Sequence, residues 1–211
     1  MPEQVPKRLR GRPKQTDNDI SMQQTIIYTA SSLFKEFGYE MVTLQQIGKK
    51  CGVSKPTIYY HFAGKADLFV AAMTTMLQNV RKITAHMLDE AEHLRDGLIR
   101  LAEARLANPH GEIEMMMREA EPFLEEEQIH AIREAEHQIH DVLASHFRKA
   151  MDEKFFREEE PLFLAEAFST LMLMGNREHD QQKYESHHVM AEKIVRVFLE
   201  GVTSSSSSEL I

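Results

Sequence analysis

The stretch VSKPTIYYHFAGK, Val53 to Lys65, sets a lysine, a threonine, two tyrosines and a histidine within a few residues of each other. A lysine can donate to a phosphate or to the edge of a guanine. A threonine methyl and a proline ring can touch a thymine methyl, and tyrosine and histidine can hydrogen-bond phosphate oxygens. This is chemistry for gripping a polyanion. No nucleophile elbow, phosphate-cradling loop or catalytic triad accompanies it, so these residues point to binding rather than to an enzyme, and no cofactor is expected.

The charge pattern agrees. Residues 1–65 carry ten Lys/Arg against five Asp/Glu, while the whole chain of 211 residues has a net charge of -8, so the remainder is strongly acidic. A basic N-terminal part suits a polyanion, and an acidic body is repelled by the same polyanion and should sit away from it. A single cysteine, Cys51, excludes an intrachain disulfide and suits a reduced compartment, with the cytoplasm as the default. The N-terminus has no apolar leader. The longest apolar run, Leu162 to Gly175, contains Glu166 and is too short to span a bilayer, so no membrane is expected as a partner.

The elements that must position these residues are helices. Ser54 can cap a helix starting at Lys55, where Pro56 is tolerated because first-turn N–H groups lack intrahelical partners. Ile58 and Phe62, four apart, face inward and leave Lys55, Thr57, Tyr60 and His61 outside. Before it, Thr43 and Gln46 form a capping signal, Leu44 and Ile47 point inward, and Gly52 ends a helix of about two turns. Earlier still, Ser21 and Gln24 repeat the signal. Ile26, Ile27, Ala30, Leu33, Phe34 and Phe37 share a face, and Gly38 marks the stop.

Beyond Gly64 the pattern predicts helices from Lys65 to about Glu90 and near 93–107, 112–120, 123–152, 161–177 and 186–202, with Pro109, Pro122 and Pro161 as breakers. No strand pattern is found, and the fold class is all-α. The chain divides into a disordered basic arm over 1–15, a two-short-helix DNA-binding candidate within 16–65, a helical body over 66–203, to which the family resemblance given below assigns effector binding and dimerisation, and a serine-rich disordered tail over 204–211.

Two short helices joined by CGV, the second polar on its outer side, make a helix-turn-helix whose second helix enters the major groove. The stretch TLQQIGKKCGVSKPTIYYHFAGKADLF, Thr43 to Phe69, with TASSLFKEFGYEMVT before it, resembles the DNA-binding domain of the TetR (tetracycline repressor) family. G-V-S, I-Y-Y-H-F and G-K-x-x-L-F are its specific motifs, and the resemblance covers roughly residues 21–70. It implies that Thr43 caps the second helix and touches phosphate, and that Gln45 reaches a base. Lys55, Pro56 and Thr57 match the base-reading start of the recognition helix, and Tyr59, Tyr60 and His61 its backbone or base contacts. Lys65 would bind phosphate beside the N-terminal amides of the fourth helix. Gly48 and Cys51 stand where the family usually has alanine. Both are small, so close helix crossing survives, although a helical glycine costs up to about 1 kcal/mol. Cys51 reads as packing rather than as a redox sensor.

The arm contains R-G-R-P, which resembles the core of an AT-hook. Arg10 and Arg12 would lie in the narrow minor groove of A·T-rich DNA, or else serve as a non-specific basic tail.

In the body, PLFLAEAFSTLMLMG over 161–175 is apolar nearly all round, and such a helix must be buried on every side. A partner subunit would supply the cover. Phe168, Leu171 and Met172, with Ile194, Val197 and Phe198 of the last helix, are the expected interface of a homodimer, and the resembled family implies a four-helix interface there. A two-fold dimer places recognition helices about 34 Å apart, matching a palindromic operator in double-stranded DNA. The resemblance also implies a small-molecule effector pocket. EMMMREAEPF suggests Met115, Met116, Arg118 and Phe123 for it, against the alternative that the methionines fill core. Glu-x-x-His pairs such as Glu127/His130 and Glu134/His137 have the spacing of di-iron bundles, but a single charged helix does not bring them together, and no metal is expected. The resemblance thus implies a homodimeric transcriptional regulator, a repressor released from a palindromic operator by an effector. The alternative is an architectural protein that coats A·T tracts.

Overall fold

Helix starts in this chain are written as side-chain caps. Ser21 and Gln24 form a full capping box before α1 (Met22–Met41), and Thr43 and Gln46 form another before α2 (Leu44–Cys51). Ser54 accepts the Thr57 N–H at the start of α3 (Lys55–His61). The computed structural model describes residues 21–107, 111–173 and 185–203 and, within them, not the side chains of 111–114. The basic arm with Arg10 and Arg12, and the tail 204–211, lie outside the described residues.

After α3 come α4 (Lys65–Asp89), α5 (Leu94–Ala107), α6 (Gly111–Ala120), a 3-10 turn over Glu121–Phe123, α7 (Glu126–Asp152), α8 (Pro161–Met172) and α9 (His187–Val202). Among the described residues there is no strand, only an isolated bridge between Phe156 and Thr203. No described helix is long and apolar enough to cross a membrane. α7 starts a turn later than the sequence suggests, because Pro122 is taken up by the 3-10 turn and Glu125 with Gln128 supplies a capping box that the proline masks. The Glu160 carboxylate accepts the N–H groups of Leu162 and Phe163, so α8 begins at Pro161 as expected, and the structure describes it only as far as Leu173.

Gly38 breaks the first helix where the sequence sets its stop, although the chain resumes a helical turn directly after it. Its backbone lies at φ 77 and ψ 170, outside the helical region, and a further turn runs on to Met41. That kink turns Tyr39 into the core and leaves Phe37 outside at 52% exposure, against the inward position that helical spacing assigns it. A side chain at Gly38 would also collide with the Glu119 carboxylate of α6, 2.5 Å from an ideal Cβ.

Two apolar clusters hold the helices. One gathers Ile26, Phe34, Tyr39, Ile47, Ile58 and Phe69 with Met116, Met117 and Ile132 of α6 and α7. The other gathers Leu98, Phe147, Phe156, Phe168, Met172, Ile194 and Phe198. In the second, the rings of Phe168 and Phe198 are 5.0 Å apart and those of Phe147 and Phe198 5.3 Å. Four residues assigned from the sequence to a dimer interface, Phe168, Met172, Ile194 and Phe198, are therefore buried in the protomer's own core, with α7 and α5 supplying the cover. Leu171 is half-buried, and Val197 at 58% exposure stays outside together with Phe163 of α8 at 56%.

Gly38→Ala puts an L residue in a backbone region open essentially to glycine and into a carboxylate, so unfolding in urea should show a loss of about 1–3 kcal/mol. Gly201→Ala, in helical conformation with open space around its Cβ position, should be neutral or stabilising by up to about 1 kcal/mol. Equal effects at the two sites would refute the conformational account of Gly38.

Candidate nucleic-acid interface

The turn between α2 and α3 is closed by backbone. Gly52 sits at φ 72 and ψ 25, where its N–H is shared between the carbonyls of Gly48 and Lys49, and the Val53 N–H donates to the Gly48 oxygen at 2.9 Å. A Cβ on Gly48 would lie 2.8 Å from the Val53 carbonyl oxygen. Glycine at 48 thus has a steric reason that offsets its weak helix propensity: the turn carbonyl closes onto the bare α-carbon. Cys51 is half-buried against the first cluster, its thiol 3.9 Å from the Thr25 carbonyl oxygen, as packing requires.

On α3, Ile58 and the cap residue Phe62 are buried and hold the helix to the core, as their spacing predicts. The opposite side carries Lys55, Pro56, Tyr59 and Tyr60, all exposed, with Tyr60 at 84%. Thr57 and His61 are half-buried at the edges of this surface. The Lys55 ammonium stands 5.7 Å from the Tyr59 ring centre, and the Tyr60 and His61 rings meet edge-on at 5.0 Å. The Thr57 hydroxyl is 2.8 Å from that of Ser54, which leaves its methyl as the outward group. Thr43 caps α2 while itself exposed: its Oγ1 accepts the Gln46 N–H at 3.2 Å, and Gln46 Oε1 accepts the Thr43 N–H at 2.7 Å. Gln45 is exposed beside it. These residues lie exposed or half-buried on the adjoining helices α2 and α3, and Lys49 and Lys50 in the last turn of α2 are exposed too. The two lysines were visible in the sequence as a cationic pair before a glycine stop, which also suits the negative end of a helix.

Lys65 has a tie within the fold besides the phosphate contact expected of it. Its Nζ donates to the Glu40 carbonyl at 3.2 Å and lies 4.3 Å from the Tyr39 ring centre, tying the start of α4 to the end of α1. Burial lowers its pKa, and Glu40 partly offsets that. Gly64 gives α4 no side-chain cap, so the first amides of that helix remain an anion-binding feature.

The residues named for an effector pocket do not converge. Met116 is buried against α1, whereas Met115, Arg118 and Phe123 are exposed, because α6 turns Met116, Met117 and Ala120 toward the first cluster.

What the sequence did not reveal is how α6 and α7 hold this edge. The Glu119 carboxylate accepts the Tyr39 N–H at 2.9 Å across 80 residues of chain. Asp67 in the first turn of α4 accepts the Ala63 N–H at 3.1 Å with one oxygen and Gln128 Nε2 of α7 at 2.7 Å with the other. No local signal announces either contact.

Fold and site define an all-α protein with an N-terminal helix-turn-helix whose recognition helix is polar and cationic outside. Residues 26–72 match the family model of bacterial regulatory proteins of the tetR family. The chain is 31% identical over 74 residues to the HTH-type transcriptional activator FasR of Mycolicibacterium smegmatis, covering 33% of this chain and 34% of that protein. It is 36% identical over 70 residues to the HTH-type transcriptional repressor ComR of Escherichia coli, covering 33% and 31%. The matched stretch thus spans about a third of the length of these relatives. A solved structure from Mesorhizobium loti, assigned to the TetR-family transcriptional regulators, has a TM-score of 0.70 over 87% of this chain and 97% of that one, at 22% identity, a likeness of fold.

At Gly52 nothing lies within 4 Å of an added Cβ, so Gly52→Ala tests backbone conformation alone. Chemical unfolding should register a loss of about 1–2 kcal/mol, the cost of the left-handed region for an L residue. Gly52→Asn should recover part of it, since asparagine tolerates that region; an unchanged midpoint for Gly52→Ala would refute the turn geometry.

Proposed function

We propose that the chain is a homodimeric transcriptional regulator that occupies a palindromic operator and leaves it when a small molecule binds the helical body. The observation that carries the reading is the outer side of α3. Lys55, Pro56, Tyr59 and Tyr60 are exposed together on a helix locked from below by Ile58 and Phe62, inside a stretch that matches the family model. Exposed aromatic rings and a lysine give a folded monomer no packing, so a partner surface with phosphates and base edges accounts for them. Lys65 and the uncapped amides of α4 add a phosphate contact in this reading, with Thr43 and Gln45 at the neighbouring strand.

Dimerisation is assigned to Phe163 on α8 and Val197 on α9, the large apolar side chains that the protomer's core leaves outside on these helices. Effector action is assigned to the two polar links, Glu119 to Tyr39 and Gln128 to Asp67. A ligand that favours a displaced α6 or α7 would shift the end of α1 and the start of α4, and with them the spacing of the two recognition helices. Repression is the reading adopted for the outcome at the promoter, the Escherichia coli relative being named a repressor.

Selection of bound sequences from random duplex DNA at about 0.15 M salt, where non-specific binding is weakened, should return an inverted repeat both for the full chain and for one lacking residues 1–15. Lys55→Ala and Tyr60→Ala should erase the sequence preference while changing stability by no more than about 0.5 kcal/mol, as exposed positions do. Enrichment of A·T tracts alone, lost with the arm, would instead establish an architectural protein. In sedimentation, Phe163→Glu and Val197→Glu should give folded monomers; a dimer that survives both charges would place the interface elsewhere.

A further inference from the structure

Arg105, in the last turn of α5, is a charged residue that the reading above does not use. Its Nε is sealed from solvent and, among the described residues, has no hydrogen-bond partner. Buried polar groups are nearly always satisfied, and a guanidinium keeps its proton in a protein, so among the described residues this N–H is a donor that lacks its acceptor. Glu136 of α7 acts electrostatically on Arg105, and His140, one turn further along α7, senses Arg105 together with Glu136, His137 and the exposed Glu166 of α8.

Neither carboxylate supplies the acceptor. Glu136 already accepts from Arg133 at 2.9 Å with its side chain 39% exposed, and Glu166 is exposed, so solvent screens both. Burial holds the His140 imidazole below its ordinary pKa, against the upward pull of Glu136 and Glu166 and with a downward push from His137 and Arg105. A neutral imidazole keeps one N–H donor. Buried Leu101 lies one turn before Arg105 on α5, and buried Leu143 just under one turn after His140 on α7.

We infer that Arg105 and His140 form a binding site, between α5, α7 and α8, for the carboxylate of a small organic acid with an apolar body. Arg105 Nε donates to one oxygen and the imidazole N–H to the other, while the carbon skeleton lies along the leucines. A single negative charge matches the Arg105 guanidinium, whereas water would fill the hydrogen bond but leave the charge unmatched. The site deepens the effector-responsive reading and rests on it only for its consequence at DNA.

Titration calorimetry on the full chain with octanoate, and with octylamine and octanol as matched probes, tests it. Octanoate should bind at least about tenfold more tightly than either. Its affinity should rise from about pH 8 to about pH 6, because an anion beside His140 raises that imidazole's pKa and binding then takes up a proton. Arg105→Met should lose about tenfold or more in octanoate affinity and leave octanol unchanged. Should that variant fail to fold, Arg105→Lys, which keeps the charge but lacks Nε, should bind octanoate more weakly than the parent protein, and octanoate should raise the His140 pKa seen by NMR in that parent protein. Octanol binding as tightly as octanoate, full octanoate affinity in Arg105→Met or Arg105→Lys, or no octanoate binding by protein that still binds DNA, would each overturn the site. Octanoate that binds as described yet leaves operator affinity unchanged would sink the effector coupling and leave the acid site standing.

Discussion

Everything in the N-terminal half depends on the burial of Tyr39. Its ring meets Phe69 edge-on at 4.9 Å, Phe69 meets Phe34 at 5.1 Å, and this trio locks α1 to α4. To put the ring there the chain must break its helix at Gly38, and the break exposes an amide that the Glu119 carboxylate accepts. A buried aromatic side chain contributes a few kcal/mol, enough to outweigh a distorted helical turn. The same ring then carries the Lys65 ammonium above it, fixing where α4 begins and so where α3 must end. A recognition helix of seven residues has too little backbone to hold itself in place. Its geometry is inherited from α1 and α4 through Ile58 and Phe62.

What could be read from the sequence is what is written locally. Side-chain caps need only one or two residues at fixed spacing, so the starts of α1, α2 and α3 are legible in the one-letter code. The inward pair Ile58/Phe62 and the turn glycine at 52 obey equally short-range rules. Phe37 shows where such rules fail. Its spacing is perfect for the inner face of the helix, but it is the last residue before the break at Gly38, and the chain buries Tyr39 beyond the break while Phe37 stays outside. The α8 residues fail for a related reason: an all-round apolar helix announces that it is covered without saying by what, and here α7 takes most of the cover that a partner subunit was expected to provide. The methionines of α6 are likewise core because of where α1 lies. The orphan donor of Arg105 is invisible to any pattern, since only the packing of the helices reveals that none of the described residues accepts it.

The apolar cores do not respect a division of the chain at residue 65. α4 contributes Leu68 through Leu77 to the first cluster and Leu88 to the second, and α7 contributes Ile132 to the first and Phe147 to the second. Two helices therefore run through both. A disturbance at one end of either is delivered to the other end as a displacement of a rigid element, because packed interiors repack between discrete arrangements rather than deform smoothly. The charge segregation adds direction. At physiological salt the screening length is about 8 Å, so the acidic body must stand off the DNA by more than that for the basic edge to act without opposition.

Which contacts would yield in such a displacement follows from their magnitudes. A hydrogen bond with a charged partner contributes about 1.5–3 kcal/mol net, whereas tearing a large side chain from the core costs about 3–5 kcal/mol. The Glu119–Tyr39 and Asp67–Gln128 links are of the first kind, and both carboxylates lie near enough to solvent to be rehydrated when released. Phe69 and Met116 are of the second. On the proposed effector-responsive reading, a ligand in the body that supplies the coupling typical between two sites, about 1–3 kcal/mol, can exchange one such polar link but cannot open the aromatic trio. The shift it would select is one in which α6 or α7 slides against an intact helix-turn-helix, changing where the reading head points and not what it can read.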